Sequence, residues 1–271
     1  MIKLIATDLD ETLLSSQKTI DPKNIAALKK ASEMGIIIAI ATGRGPYQLL
    51  NVLEEIDNIR KDRFSILCNG GIIMRNSDKK IVHSSAIAFE KAKGIYEFCK
   101  KQKIYCEIYT DKHCYVANND KEETHVNFKN STYQALTDES LEFLKDEIII
   151  KVLLRSYDLN YLMALEEDIA KICNWEISIS YSSDMFMEIN EKGTNKAIAL
   201  KKLCTHYGIG MDEILAIGDN FNDQQMLEEA GISVAVKNAH LLLKDIADYT
   251  STKTNDQAAV ADAIERFVLN K

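Results

Sequence analysis

Short apolar runs without alternation, each followed by a helix-like stretch, constrain this chain more than any other feature. Residues 3–7, 36–41 and 64–68 read as strands, with helices predicted over 22–34 and 46–56 between them. Strands that are apolar on both faces must be covered on both, which is the condition of a parallel sheet sandwiched between helices. Asp21-Pro22 supplies an N-cap followed by proline at the first helical position, and Pro46 opens the next helix in the same way. The order predicted for the first part of the chain is βαβαβ.

From residue 83 to about 185 the rhythm changes. Helices are predicted over 89–102, near 139–144 and over 159–173, and strands over 104–110, 114–118, 148–155 and 176–181. Alternation such as Glu176-Ile177-Ser178-Ile179-Ser180 fits a half-exposed antiparallel sheet in an α+β module. After Phe186 the first rhythm returns, with helices over 194–207, 222–230, 241–246 and 257–269 and strands over 214–217 and 232–236. The fold class expected is therefore α/β: a doubly wound, parallel, Rossmann-like core from residues 1–82 and 186–271, interrupted by an inserted α+β cap at 83–185. With two prolines and eleven glycines, no linker of biased composition marks the joins, and no solenoid period appears.

Of the 271 residues, 46% are hydrophobic and 27% charged, a balance that excludes intrinsic disorder. No uncharged apolar stretch approaches the ~20 residues of a membrane span, so no membrane association is expected. The first ten residues lack a basic leader and a small-residue cleavage site, and the expected location is the cytoplasm. Six cysteines without a C-x-x-C pair read as buried thiols. The net charge of −8 argues against nucleic acid as a partner, because that binding needs a basic footprint.

In open α/β sheets, ligands bind beyond the carboxyl ends of the strands. The predicted strands deliver Asp8-Leu9-Asp10-Glu11-Thr12, Thr42-Gly43-Arg44, Asn69-Gly70-Gly71 and Gly218-Asp219-Asn220-Phe221-Asn222-Asp223 there, and Lys196 opens a nearby helix. Four carboxylates (Asp8, Asp10, Asp219 and Asp223) in one crevice repel one another without a cation. Hard oxygen donors at so small a site suggest Mg²⁺, which shares its shell with water and phosphate. The Thr42 hydroxyl, the Lys196 amine and the amides at Gly43 and Asn222 are donors suited to a phosphoryl group.

The order Asp8-x-Asp10-x-Thr12, Thr42-Gly43, Lys196 and Gly218-Asp219-x-x-Asn222-Asp223 resembles the four motifs of the haloacid dehalogenase-like (HAD) phosphohydrolases. The lysine placed after a long insert resembles the Cof-type branch, sugar-phosphatase-like enzymes with a large α/β cap. Asn69-Gly70-Gly71, Ala230-Gly231 and the stretch Val234-Ala235-Val236-Lys237-Asn238-Ala239 are similar to that branch as well. The resemblance implies a Mg²⁺-dependent phosphatase of a small phosphorylated metabolite. Asp8 would be the nucleophile that forms an aspartyl-phosphate. Asp10 would protonate the leaving group, activate water and bind the metal through its carbonyl. Asp8, Asp10 and Asp219 would hold the metal, with Asp223 supporting the metal shell or orienting Lys196. The amides of Leu9 and Gly43, with Thr42, Lys196 and Asn222, would cradle the phosphate. Two residues depart from the family pattern: Glu11 and Ala197 stand where glycine is usual.

Arg44 has two open roles, reaching substrate or pairing with a neighbouring acid. The histidines, His83, His113, His125, His206 and His240, show no metal spacing. Trp175 and the tyrosines Tyr105, Tyr109, Tyr115 and Tyr181 read as packing in the insert, with contact to a leaving group as a second role for some. Lysine pairs such as Lys29-Lys30 read as solvated helix faces. The same residues also suit a phosphotransferase or phosphomutase. A non-enzymatic phospho-Asp signalling module is the third reading, although its acceptor would end the third strand, where this chain has Cys68-Asn69.

Overall fold

The computed structural model describes residues 1–118, 133–136 and 140–270. In chain order the elements are β1 (Leu4–Thr7), α1 (Pro22–Glu33), β2 (Ile37–Ile40), α2 (Leu50–Glu55), β3 (Phe64–Leu67), β4 (Ile72–Arg75), β5 (Ile81–Ser84) and α3 (Phe89–Gln102). There follow β6 (Tyr105–Thr110), β7 (Cys114–Ala117), β8 (Tyr133–Ala135), β9 (Ile149–Arg155), α4 (Leu159–Ala164), α5 (Glu166–Ile172), β10 (Ile177–Ser182) and β11 (Phe186–Glu191). The last are α6 (Lys196–Tyr207), β12 (Ile214–Gly218), α7 (Gln224–Glu229), β13 (Ile232–Ala235), α8 (Leu241–Ile246), β14 (Tyr249–Thr250) and α9 (Ala259–Ile264).

The chain forms two compact units. One comprises Met1–Arg44, Gln48–His83 and Asn195–Lys271; the other comprises Ser84–Thr194 with Gly45–Tyr47. In the first, five parallel strands run in the order β14-β13-β12-β1-β2. The residues of β1 and β12 are buried throughout, as strands covered on both faces must be. The fold is the parallel α/β core, with an additional mixed sheet in the insert, that the apolar rhythm predicts.

The region after β2 departs from expectation. The segment read as the third strand of one sheet is joined to the residues just after β2 by an isolated parallel bridge, Ala41 to Ile66, and pairs antiparallel with β4 in a separate sheet, β3-β4-β5. Cys68, Asn69 and Gly70 take φ of 50°, 55° and 95°, and these successive left-handed residues reverse the chain into β4. The helix expected over 46–56 begins only at Leu50, after a single 3-10 turn at Pro46–Gln48.

The second unit is a six-stranded sheet in the order β10-β11-β9-β6-β7-β8, antiparallel except between β7 and β8. Residues from 186 on, read as the return to the outer sheet, instead form β11 between β10 and β9. The helix expected over 159–173 is broken into α4 and α5 at Leu165, and the one expected near 139–144 is a 3-10 turn, Glu142–Leu144; residue 139 lies outside the described residues. One sheet face, with Cys106, Ile108, Val152, Leu154, Met187 and Ile189, belongs to an apolar core shared with α3, α4 and α5. β10 is partly exposed along its length, whereas the central strands β6, β9 and β11 are buried on both faces. On the alternate positions Glu107, Lys151 and Glu188 are all buried: Glu107 accepts hydrogen bonds from the Tyr105 and Tyr109 hydroxyls, and Lys151 pairs with Glu188.

All six cysteines are buried free thiols. Among the described residues no helix is long and apolar enough to cross a membrane.

Candidate active site

Strand register builds the site. β1 pairs with β12 and with β2 so that Thr7 lies opposite Ile217 on one side and Ile40 on the other. The ladder runs one residue further: the Asp8 amide donates to the Ile217 carbonyl at 2.9 Å, and the Ala41 amide donates to Thr7 at 2.9 Å. Asp8, Asp219 and Thr42 therefore leave three adjacent parallel strands at their carboxyl ends, and all three are buried.

Lys196 enters from the first position of α6, whose N-cap Asn195 accepts from the Ile198 amide at 2.8 Å. Its ammonium is fully buried and donates to Asp8 Oδ1 and to Asp223 Oδ1, each at 2.6 Å. The other oxygen of Asp223 accepts from the backbone amides of Asp219 at 3.0 Å and Asn220 at 3.2 Å. Asp223 thus holds both the lysine and the loop carrying Asp219. Asp219 Oδ1 in turn accepts from the buried Thr12 hydroxyl at 2.6 Å.

Burial pushes the Asp8 carboxyl up to about 7, with Lys196 opposing the rise and Asp223 and Asp10 adding to it. Burial, then the charges of Asp8 and Asp223, also hold Asp219 well above the usual carboxylate range. Burial alone would lower the Lys196 ammonium, but Asp223 and Asp8 outweigh it and raise it well above its ordinary value. One ammonium does not compensate three buried carboxylates. Asp8, Asp219 and Asp223 each offer an oxygen within 4.8 Å of the others, a hard-donor set whose uncompensated charge fits a divalent cation such as Mg²⁺.

Asp10 is directed elsewhere. Its carboxylate is gripped by Arg44, with Nε to Oδ2 and Nη2 to Oδ1 both at 2.8 Å, and Lys18 Nζ lies 3.1 Å from Oδ1. Burial would raise Asp10, but the hydrogen bonds and charge of Arg44, then of Lys18, hold it below its ordinary value. Of the two roles open to Arg44, the structure shows the pairing with an acid.

Thr42 Oγ1 accepts from the Arg44 amide at 3.1 Å, and Gly43 lies between them. Leu9 is buried, its carbonyl accepting from the Leu13 and Leu14 amides in the turn that carries Asp10. Asn222, in a 3-10 turn, donates from Nδ2 to Asn69 Oδ1 at 3.2 Å. Sequence reasoning assigned no site role to Thr12, Lys18 or Asn69. Thr12 and Asn69 lie inside motifs already singled out, whereas an isolated lysine eight residues beyond Asp10 carries no local signal. Among the described histidines, His83 meets Lys202 at 2.6 Å and His240 packs against Phe221 with the rings tilted by 46°; His125 lies outside the described residues.

The family model for haloacid dehalogenase-like hydrolases matches residues 5–264. The 5-amino-6-(5-phospho-D-ribitylamino)uracil phosphatase YcsE of Bacillus subtilis is 30% identical, the match covering 99% of this chain and 96% of that one. A second B. subtilis protein of the same printed activity, YwtE, is 29% identical over 98% of each chain. A solved haloacid dehalogenase-like hydrolase from B. subtilis superposes with a TM-score of 0.85 at 26% identity, over 98% of this chain and 100% of its own. From the ordered acid, hydroxyl and lysine motifs, the parallel sheet that gathers them and the match along nearly the whole length, the chain belongs to the haloacid dehalogenase-like hydrolase family, in its Cof-type branch, and is a phosphoric monoester hydrolase.

Proposed function

We propose that the chain is a cytoplasmic, Mg²⁺-dependent phosphatase that hydrolyses a small phosphorylated metabolite through an aspartyl-phosphate on Asp8. The observation that carries this reading is the buried Asp8 carboxylate, oriented by a 2.6 Å bond from Lys196 beside the carboxylates of Asp219 and Asp223. A carboxylate so held attacks phosphorus, the bond to the leaving oxygen breaks, and Asp10, which must first take up a proton against the hold of Arg44 and Lys18, supplies the proton that the departing alkoxide takes up. Asp10 then removes a proton from water, which attacks the same phosphorus. The bond to Asp8 breaks and its carboxylate is restored. Lys196, Thr42, Asn222 and the amides of Leu9 and Gly43 hold the phosphoryl oxygens. Asp8, Asp219 and the Asp10 carbonyl would hold Mg²⁺, with Asp223 orienting Lys196 and the Asp219 loop. When bound, the ion neutralises the charge between the attacking carboxylate and the anionic ester.

The relatives YcsE and YwtE carry names that specify a phosphate on a ribityl chain. A primary phosphate ester of a sugar or polyol is accordingly the substrate class to test first. Phosphate release from p-nitrophenyl phosphate should require Mg²⁺, cease with chelator and be lost in Asp8→Asn. A panel of sugar and polyol phosphates then ranks substrates. Full activity of Asp8→Asn in Mg²⁺ would refute the mechanism, and transfer of phosphate to an added sugar without free phosphate would redirect it to a phosphotransferase.

A further inference from the structure

Glu11 occupies the position after Asp10 with φ 58°, a left-handed conformation that glycine enters freely and glutamate rarely adopts. Its surroundings indicate why a side chain is kept there. The Glu11 carbonyl accepts from Asn238 Nδ2 at 2.8 Å, and its Oε2 accepts from Asn255 Nδ2 at 3.2 Å. Both partners belong to loops that follow β13 and β14, so the turn is tied to a second part of the same unit. The remaining oxygen, Oε1, lies 3.0 Å from Lys18 Nζ, and that ammonium is also 3.1 Å from Asp10 Oδ1.

Asp10 is therefore held from two sides. Arg44 grips both of its oxygens, and Arg44 is itself fixed by a 3.4 Å bond from Nη1 to the Gln48 carbonyl. Lys18 grips one oxygen from the other side. It is half-exposed on a flexible stem, and an isolated exposed pair of this kind contributes little. A second carboxylate, anchored by Asn255, converts the pair into a network and gives the ammonium one position.

We propose that Glu11 and Lys18 are positioning residues for Asp10: Glu11 anchors Lys18, and Lys18 with Arg44 sets the Asp10 carboxylate in place. The left-handed backbone at residue 11 is retained for the side chain it presents. This rests on the reading of Asp10 as the proton donor and acceptor, and it adds residues that the motif pattern does not contain.

The test uses the best substrate of the panel and measures kcat, KM and thermal midpoint for Glu11→Asn, Glu11→Gly, Lys18→Met, Glu11→Asn/Lys18→Met and Asp10→Asn. Asparagine and glycine both accept the left-handed backbone, so these variants remove the carboxylate without new strain. Glu11→Asn and Lys18→Met should each lower kcat about 5- to 20-fold with KM within about twofold, because a displaced Asp10 carboxylate is a poorer base toward the hydrolytic water, which slows chemistry and not binding. The double variant should be no slower than the slower single, since both act through one contact. Glu11→Gly should lose kcat while its midpoint holds or rises, a split that a purely structural role would not produce. Wild-type kcat in the single variants, a loss confined to KM, or losses that multiply in the double variant would overturn the proposal. Wild-type kcat in Asp10→Asn would instead overturn the underlying role of Asp10, so the two failures are told apart.

Discussion

Lys196 and Asp8 meet at 2.6 Å across 188 residues of sequence, in a site where the ammonium has no exposure to solvent. Removing one partner of a buried ion pair strands the other, at a cost of about 3–5 kcal/mol. Lys196→Met should lose stability of that order and, with the hydrogen-bond donor proposed for the phosphate gone as well, about 10²- to 10³-fold in kcat. Urea unfolding and steady-state kinetics check both. A variant of wild-type stability would mean that Asp223 and Asp8 do not depend on the lysine.

The metal-free enzyme should respond to pH through Asp8. Folded, Asp8 keeps its proton up to about pH 7, whereas an ordinary carboxyl releases it near 3.8. Between those values the folded state binds more protons, so this contribution is fullest below 3.8 and is lost as pH rises through about 7. Asp219, also raised, acts with the same sign. In chelator, the thermal midpoint of the wild type should therefore fall from about pH 5 to about pH 7.5 more steeply than that of Asp8→Asn. Mg²⁺ at a hundred times its Kd should restore about 2.7 kcal/mol at the upper pH. Parallel pH curves for the two proteins would argue against a perturbed Asp8.

Gly70 is the position where a side chain has nowhere to go. Its φ is 95°, and a Cβ there would lie 2.2 Å from the Asn195 carbonyl oxygen and 2.6 Å from its carbon. The neighbour is backbone, and Asn195 caps the helix that starts with Lys196. Gly70→Ala should cost about 2–3 kcal/mol and lower kcat as well, because the cap and the lysine move together. A lowered denaturation midpoint with an unchanged m-value would locate the damage in the folded state.

In the inserted unit, Lys151 and Glu188 pair with almost no exposure, and Ser182 Oγ donates to the second Glu188 oxygen at 2.6 Å. Lys151 Nζ also lies 4.4 Å from the centre of the Tyr109 ring. Lys151→Met alone should destabilise this unit by about 3–5 kcal/mol, and adding Glu188→Leu should recover much of the loss, because Glu188 is then no longer left buried without its ammonium partner. Calorimetry of the two variants measures the difference. A double variant no better than the single would assign the cost to packing against Tyr109.

The parallel sheet and the acids at its strand ends were legible because each is written locally. Four-residue apolar runs such as Leu4–Thr7 mark burial on both faces, and a polar cluster directly after such a run is delivered to the carboxyl edge. Phe186–Glu191 was harder: Phe-Met-Glu-Ile-Asn-Glu suits either sheet, and only pairing with Arg155 through Lys151 on one side and Ile177–Ser182 on the other assigns it to the insert. The turn at Asn69-Gly70-Gly71 was visible as a turn, but not the antiparallel β4 that it launches.

What the sequence alone determined is the kind of sheet, the motif order and the chemical inventory at the strand ends, since periodicity and residue type record burial and charge without reference to distant partners. The tertiary structure decided which charge meets which. Arg44 had a substrate or an acid open to it and takes Asp10; Lys18, an unremarkable lysine by pattern, bridges Asp10 and Glu11; Asn69 and Asn222, 153 residues apart, find each other. Such pairings depend on the register of β1 against β2 and β12 and on rotamers of long side chains whose alternatives differ by about 1 kcal/mol, a difference that only the assembled neighbours settle.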